Sequence, residues 1–256
     1  MRVTLFESSG PVQRDRPDTN TVARLDEVES FEELLAVLDE LRSVHSPARI
    51  LCTLDDVDQC LYTSMHASED DRLWFEEGEA EDEDAVARQR VDNARIAHLS
   101  ERLQDGALRV EWEALPGTRI GGKEDVSGLV TLNRVPDRAL DDVVLIQRVP
   151  VATDDLAITG IPNGYFADDW DIFQNHAVVR RLATHGYRHF GMGAAFLAFD
   201  RRTIPSETEA QAVITDLVHL YGAPESPEWP ELAALLTGQR LLILGYTEDF
   251  ADTLDA

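Results

Sequence analysis

The amino-acid sequence predicts an α+β fold, in which helices flank a mixed or antiparallel β-sheet. Two segments have apolar side chains at helical spacing and begin with a serine cap, at Ser30 with Glu33 and at Ser206 with Glu209. Short apolar runs of strand length, bounded by turn residues, alternate with these helices. The hydrophobic fraction of 43% is close to that of ordinary globular domains, so the chain can bury a core of normal size.

The N-terminal region is predicted to contain one helix between two strands. Residues 3–6 alternate apolar and polar side chains, which favours a strand. Residues 8–29 are polar and highly charged, and we interpret them as a loop. The helix begins after Ser30, and residues 49–54 form an apolar run that predicts the second strand.

The middle of the chain is predicted to contain a long helix followed by a three-stranded meander. Residues 68–84 are mostly acidic, and we interpret them as a loop held by Trp74 and Phe75. A helix is expected over residues 83–104, because its acidic start and its arginine-rich later turns complement the helix dipole. The strand candidates that follow are residues 108–115, 129–135 and 143–151.

The C-terminal region is predicted to alternate strands and helices. The strand candidates are residues 156–161, 194–199 and 240–246. The helix candidates are residues 171–184, 206–222 and 227–236.

The chain is divided into an N-terminal α+β region, residues 1–152, and a C-terminal α/β region, residues 153–256, with one continuous domain as the alternative. The helix and strand that end near Tyr246 resemble the helix and strand over residues 31–54. Two similar helix–strand halves are therefore a second open alternative for the fold.

Charge is the outlying property of the composition. There are 49 acidic and 23 basic residues, which give a formal net charge of −26. Such a charge favours basic partners and repels nucleic acid and anionic membranes. Lys123 is the only lysine, and such a scarcity of lysine is typical of proteins from GC-rich genomes. The surplus of aspartate over glutamate is consistent with a protein that functions in high salt. The charge is explained either by a functional acidic face or by a bacterial or archaeal source of high-GC or halophilic character.

The sequence predicts a cytoplasmic protein without a membrane span. Cys52 and Cys60 are the only cysteines, and because their spacing does not match zinc ligands we expect buried, inert thiols. A charge interrupts the N-terminus before any apolar run long enough for a signal peptide. No stretch reaches the ~18 to 20 apolar residues of a membrane helix.

Asp168, Asp169 and Asp171 are the candidate metal ligands. With His176 on the following helix, these carboxylates could hold a divalent cation that activates water. The alternative is helix capping, because aspartates at the start of a helix accept hydrogen bonds from its free N–H groups. Neither an EF-hand loop nor an H-E-x-x-H motif includes these residues, so capping is favoured.

The densest polar and aromatic stretch of the chain, residues 168–189, supplies the candidate binding residues. They are Trp170, His176, His185, Tyr187 and His189. Aromatic side chains beside carboxylates and imidazoles are typical of binding hot spots and of ligand pockets. Because Trp170 stands between two aspartates, we expect it near the surface, whereas Phe173 and Phe190 are expected in the core.

Two classes of function remain open. A protein-binding module, such as an intracellular inhibitor, immunity or adaptor protein with a basic protein partner, is favoured by the charge and by the lack of a coherent catalytic set. The alternative is a metal-dependent hydrolase centred on residues 168–189. The sequence argues against an enzyme, and no cofactor is predicted.

Overall fold

A computed structural model describes residues 1–7, 12, 16–76, 85–115 and 120–255. Within these residues, seven strands form a single sheet. The strands are β1 (Arg2–Leu5), β2 (Thr21–Asp26), β3 (Arg49–Thr53), β4 (Val143–Val149), β5 (Arg188–Met192), β6 (Phe196–Asp200) and β7 (Leu241–Gly245).

The sheet is mixed and has the strand order β1-β2-β4-β3-β5-β6-β7. β3 and β5 are parallel neighbours, and the other neighbouring pairs are antiparallel. The pairing of β3 with β5 joins strands from both sides of residue 152 in one sheet. The predicted α+β fold with a mixed sheet and flanking helices is confirmed.

Helices pack against this sheet and against one another. In the described ranges they are α1 (Phe31–His45), α2 (Val57–Ala67), α3 (Ala85–Gln104), α4 (Lys123–Arg134), α5 (Ile172–Ala183), α6 (Glu207–Tyr221) and α7 (Glu228–Leu236). Phe31 of α1 meets Phe190 of β5 edge to face, with ring centroids 6.1 Å apart. α7 packs on α4 and α6, and α4 also contacts β7. None of the helices in these ranges is both long and apolar enough to cross a membrane.

Local capping sets the start of two helices, as predicted. The Ser30 side chain accepts a hydrogen bond from the Glu33 backbone N–H at 3.3 Å, at the start of α1. Ser206 and Glu209 form the predicted capping box of α6. This helix ends at Gly222, whose φ of 72° lies in the region that favours glycine.

One strand lies in the segment that the sequence predicts to be a loop, residues 8–29. β2 runs between β1 and β4, and most of its side chains are buried. The Arg16 guanidinium donates to the carbonyl oxygens of Thr19 and Thr21, each at 3.1 Å, and holds the chain that enters the strand. The loop prediction is therefore wrong for residues 21–26, where tertiary contacts outweigh the polar local pattern. Residues 8–11 and 13–15 lie outside the described residues.

Two of the three predicted meander strands are wrong. Residues 129–135 lie in and just after α4, whose buried side chains recur at helical spacing. Residues 108–115 contain the short 3₁₀ helix Trp112–Ala114. The predicted strand over 156–161 is likewise a buried 3₁₀ helix, Asp155–Gly160. This last run is buried on every side, and such a run has no periodicity that separates a strand from a helix.

Both helix–strand units that suggested a duplicated fold are present, but they connect to the sheet differently. α1 joins β2 to β3, which run in the same direction because both are antiparallel to β4. α6 and α7 join β6 to β7, which are antiparallel neighbours. The two connections therefore do not repeat.

Of the two aromatic residues predicted to hold the acidic segment, Phe75 packs against the fold and Trp74 is exposed. Phe75 lies against His98 of α3, with ring centroids 5.5 Å apart. Trp74 is exposed instead of anchoring the segment, contrary to the sequence interpretation. Residues 77–84 lie outside the described part of the chain.

Candidate functional site

Trp170, which we expected near the surface, is fully buried. Its backbone N–H donates to the Tyr246 carbonyl at 3.0 Å, and its ring centroid lies 5.4 Å from that of Tyr221. The indole therefore enters the core while Asp169 and Asp171 stay partly exposed, and the surface prediction is wrong.

The aspartates of the predicted metal site have separate roles. Asp171 caps α5: its side chain accepts from the Gln174 N–H at 2.9 Å, and the Gln174 side chain accepts from the Asp171 N–H at 2.8 Å. Asp169 accepts from the Glu248 N–H at 3.3 Å, and Asp168 lines a pocket. Among the described residues, no group of three or more His, Cys, Asp or Glu side chains is arranged to hold a metal ion.

The three histidines of the predicted site do not form one cluster. His176 Nε2 is 2.9 Å from Asp155 Oδ2, whereas His185 Nε2 is 2.6 Å from Asp216 Oδ2. His189 is buried, and neither of its ring nitrogens has a hydrogen-bond partner in the described part of the chain. His176 lies near enough to His189 to interact with it electrostatically, but different carboxylates bind His176 and His185.

Tyr187 is also buried, with the Arg201 guanidinium 5.4 Å from the centre of its ring. Phe173 and Phe190 are in the core, as expected. The aromatic side chains of this region that reach solvent are instead Tyr165 and Phe166.

A pocket of about 530 Å³ opens at one edge of the sheet, where β3, β5 and β7 end and β6 begins. We call it the acidic pocket, because six of its lining side chains are carboxylates: Asp55, Asp56, Asp168, Asp169, Glu248 and Asp249. Arg138 also lines it and donates through Nη1 to the Leu254 carbonyl at 2.8 Å. Phe166 and Phe196 add apolar surface.

Only one of the two carboxyl oxygens of Asp55 accepts a hydrogen bond from the described residues. Burial raises the pKa of its carboxyl group to about 7. Oδ2 accepts from the Ala195 N–H at 3.0 Å, while Oδ1 is enclosed and has no partner among the described residues. Gly193 packs directly against this group, since a Cβ there would lie 1.7 Å from Oδ1. The uncharged form of the Asp55 carboxyl group is therefore favoured more strongly than in a solvent-exposed aspartate.

Asp169 has a similar electrostatic environment. Burial raises its pKa to about 6, and the like charges of Asp168, Glu248 and Asp249 act in the same direction. A cation close to both carboxyl groups would favour their charged forms. The acidic pocket is thus a partly desolvated site of negative charge that suits a positively charged group.

Four rings, each in contact with the next, lead to this pocket, and we call them the aromatic stripe. Tyr62 and His66 stand one helical turn apart on α2, with ring centroids 4.5 Å apart. His66 lies 4.9 Å from Tyr165, which lies 5.3 Å from Phe166. The exposed fractions of Tyr62, Tyr165 and Phe166 are 51%, 48% and 51%. These rings present apolar surface that the fold itself does not bury.

Sequence reasoning found Asp168 and Asp169 but missed the carboxylates that follow β3 and β7. Two acidic residues follow each of these buried strands: Asp55 and Asp56 in one case, Glu248 and Asp249 in the other. β3 and β7 run in the same direction, so their carboxyl ends meet at one edge of the sheet. The similarity of the two segments in the sequence was the signal for this site.

No protein-family model, curated protein or solved structure matches this chain. The chemistry of the site is therefore the basis for assigning a function.

Proposed function

We propose that this chain binds a protein partner through the aromatic stripe and the acidic pocket, and that the partner inserts a basic side chain into the pocket. Phe166 carries this proposal, because its ring contacts that of Tyr165 edge to face, with centroids 5.3 Å apart, and it also lines the acidic pocket. The stripe and the pocket therefore adjoin, and we call the two together the acidic–aromatic face.

The aromatic stripe has the composition of a binding hot spot. Aromatic side chains supply much of the binding free energy at protein interfaces, because each buries a large area with little loss of side-chain entropy. His66 Nδ1 lies 3.1 Å from Glu69 Oε2, a contact that orients the imidazole between its neighbours. A partner that covers Tyr62, Tyr165 and Phe166 removes apolar surface from water on a prearranged platform.

A basic side chain is the group that suits the acidic pocket. Six carboxylates line the pocket together with Arg138. An arginine from the partner can pair with these carboxylates while its guanidinium stacks on Phe166. The net charge of −26 attracts a basic partner before contact.

We place this interaction in the cytoplasm. Cys52 and Cys60 are free and buried, as expected of thiols in a reducing compartment. Inhibitor, immunity and adaptor proteins are the classes that fit. Nucleic acids and anionic membranes are not proposed as partners, because the acidic pocket would repel their phosphates.

The test is the affinity of the full chain for a fluorescein-labelled peptide of alternating arginine and leucine. Phe166→Ser should weaken binding by roughly tenfold or more, since it removes a hot-spot ring. Ile204→Ser is the matched control, because Ile204 and Phe166 are both 51% exposed and Ile204 lies outside the acidic–aromatic face. We expect the control variant to bind as the wild type does.

A second set of variants separates the pocket from the overall charge. Asp168→Asn, Asp249→Asn and Glu40→Gln each remove one negative charge, but Glu40 is an exposed residue of α1. The two pocket variants should weaken binding severalfold and the α1 variant only slightly. Equal losses in all three would show that net charge alone attracts the peptide, and would overturn the proposal.

A further inference from the structure

A cleft of about 890 Å³ lies between α2 and α3, and we call it the α2–α3 cleft. Side chains of both helices line it together with residues 74–76. Its buried lining comes from Gln147 of β4 and from Gly160 and Ile161. Its volume lies within the ~300 to 1,000 Å³ that is typical of small-molecule sites.

Large apolar side chains surround the opening of the cleft. Tyr62, Met65 and Trp74 line it and are 51%, 52% and 62% exposed. Aromatic and thioether groups stack favourably on flat rings. A planar molecule in the cleft would cover apolar surface that is otherwise in contact with water.

Gln147 places an unused hydrogen-bond acceptor in this buried lining. Its Nε2 donates to Asp18 Oδ2 at 2.8 Å, which fixes the orientation of the amide and leaves Oε1 as the acceptor. Gln147 is 3% exposed, and its Oε1 has no hydrogen-bond partner among the described residues. Gly160 lies beside this oxygen, and a Cβ at that position would come within 2.9 Å of it.

We propose that the α2–α3 cleft binds a small, planar, uncharged heterocycle that donates an N–H to Gln147 Oε1. Buried polar atoms are almost always hydrogen-bonded, so an enclosed acceptor beside a cleft calls for a donor from a ligand. A planar body is required by the rings at the opening.

The charges around the cleft disfavour an anionic ligand. Arg88 and Arg95 line it, together with four acidic residues: Asp18, Glu69, Glu76 and Asp92. Asp92 lies 3.8 Å from Arg88 and also accepts from the Thr19 hydroxyl. With more acidic than basic residues on its walls, the cleft repels an anion, whereas an uncharged N–H donor enters without charge repulsion. The proposed partner-binding function is not needed for this inference.

The experiment uses the full chain and two probes, 2-quinolinone and N-methyl-2-quinolinone, which differ in a single N–H donor. Calorimetry should give saturable binding of 2-quinolinone and roughly tenfold weaker binding of the methylated probe, since the latter cannot satisfy Gln147. Trp74→Ala should weaken binding of 2-quinolinone about fivefold through the loss of stacking. Ile204→Ala, at another exposed apolar residue, should leave it unchanged.

Gln147→Met tests the hydrogen bond separately, because this variant should bind both probes with equal affinity. If that variant does not fold, two comparisons still test the proposal. The first is the binding of the two probes to the wild type, and the second is the binding of 2-quinolinone to Trp74→Ala. The proposal is overturned if 2-quinolinone does not bind saturably, if the wild type binds both probes equally, or if Trp74→Ala binds as the wild type does.

Discussion

His189 is an imidazole that the fold encloses completely. Burial lowers its pKa to about 4, and the nearby His176 acts in the same direction. The ring stays neutral in the native state, whereas in the unfolded chain it takes up a proton below its ordinary pKa of 6.5. Its contribution to stability is therefore fully present above pH 6.5 and is lost as the pH falls from 6.5 through 4.

His189→Leu should remove this dependence on pH. As the pH falls from about 7 to about 4, the free energy of unfolding of the variant minus that of the wild type should increase by up to roughly 3 kcal/mol. Urea denaturation of both proteins across that range measures the difference. A difference that stays constant with pH would mean that His189 is accessible to protons in the native state.

Trp170 and Phe166 show what residue type alone could predict. Both are aromatic residues that stand close to aspartates in the sequence, yet one is buried and the other is half exposed. The difference depends on the hydrogen bond from Trp170 N–H to the Tyr246 carbonyl, which joins segments far apart in the chain. A local pattern does not contain that contact.

Among the elements, the helices with side-chain caps were predictable because capping is a local interaction. Ser30, Asp171 and Ser206 each start a helix where the sequence indicates one. The prediction for the run over 156–161 failed, because burial on all sides makes helix and strand look alike. The acidic pocket was only half predicted for another reason: four of its carboxylates follow β3 and β7, which end at the same edge of the sheet but are far apart in the sequence.

The α6 cap gives a prediction about one element. In the capping box, Ser206 Oγ lies 3.4 Å from the Glu209 N–H, and Glu209 Oε2 accepts from the Ser206 N–H at 2.8 Å. Ser206→Ala should lower the free energy of unfolding by roughly 0.5 to 2 kcal/mol.

The matched control for this change is Thr215→Ala in the same helix. Thr215 is exposed, and its hydroxyl donates back to the Gln211 carbonyl at 2.9 Å, so alanine there should be neutral or slightly stabilising. Denaturation midpoints of the two variants measure the difference. Equal midpoints would show that the capping box does not stabilise α6.

Over the whole molecule, the excess of negative charge is distributed unevenly. Elsewhere arginines pair closely with carboxylates, as Arg188 does with Asp200 at 2.6 Å and Arg181 with Asp216 at 2.6 Å. The acidic pocket instead gathers six carboxylates around Arg138. The proposed function rests mainly on this local excess beside exposed rings, while the total charge of the chain contributes only a long-range attraction.

Labelling of carboxyl groups with a carbodiimide, with and without the arginine–leucine peptide, tests this central claim most directly. Mass spectrometry reports the labelled fraction of each site. We expect the peptide to protect Asp168, Glu248 and Asp249, while Glu32 and Glu40, exposed on α1, label as before. Equal protection of all five residues, or protection of the α1 residues alone, would contradict insertion of a basic side chain into the acidic pocket.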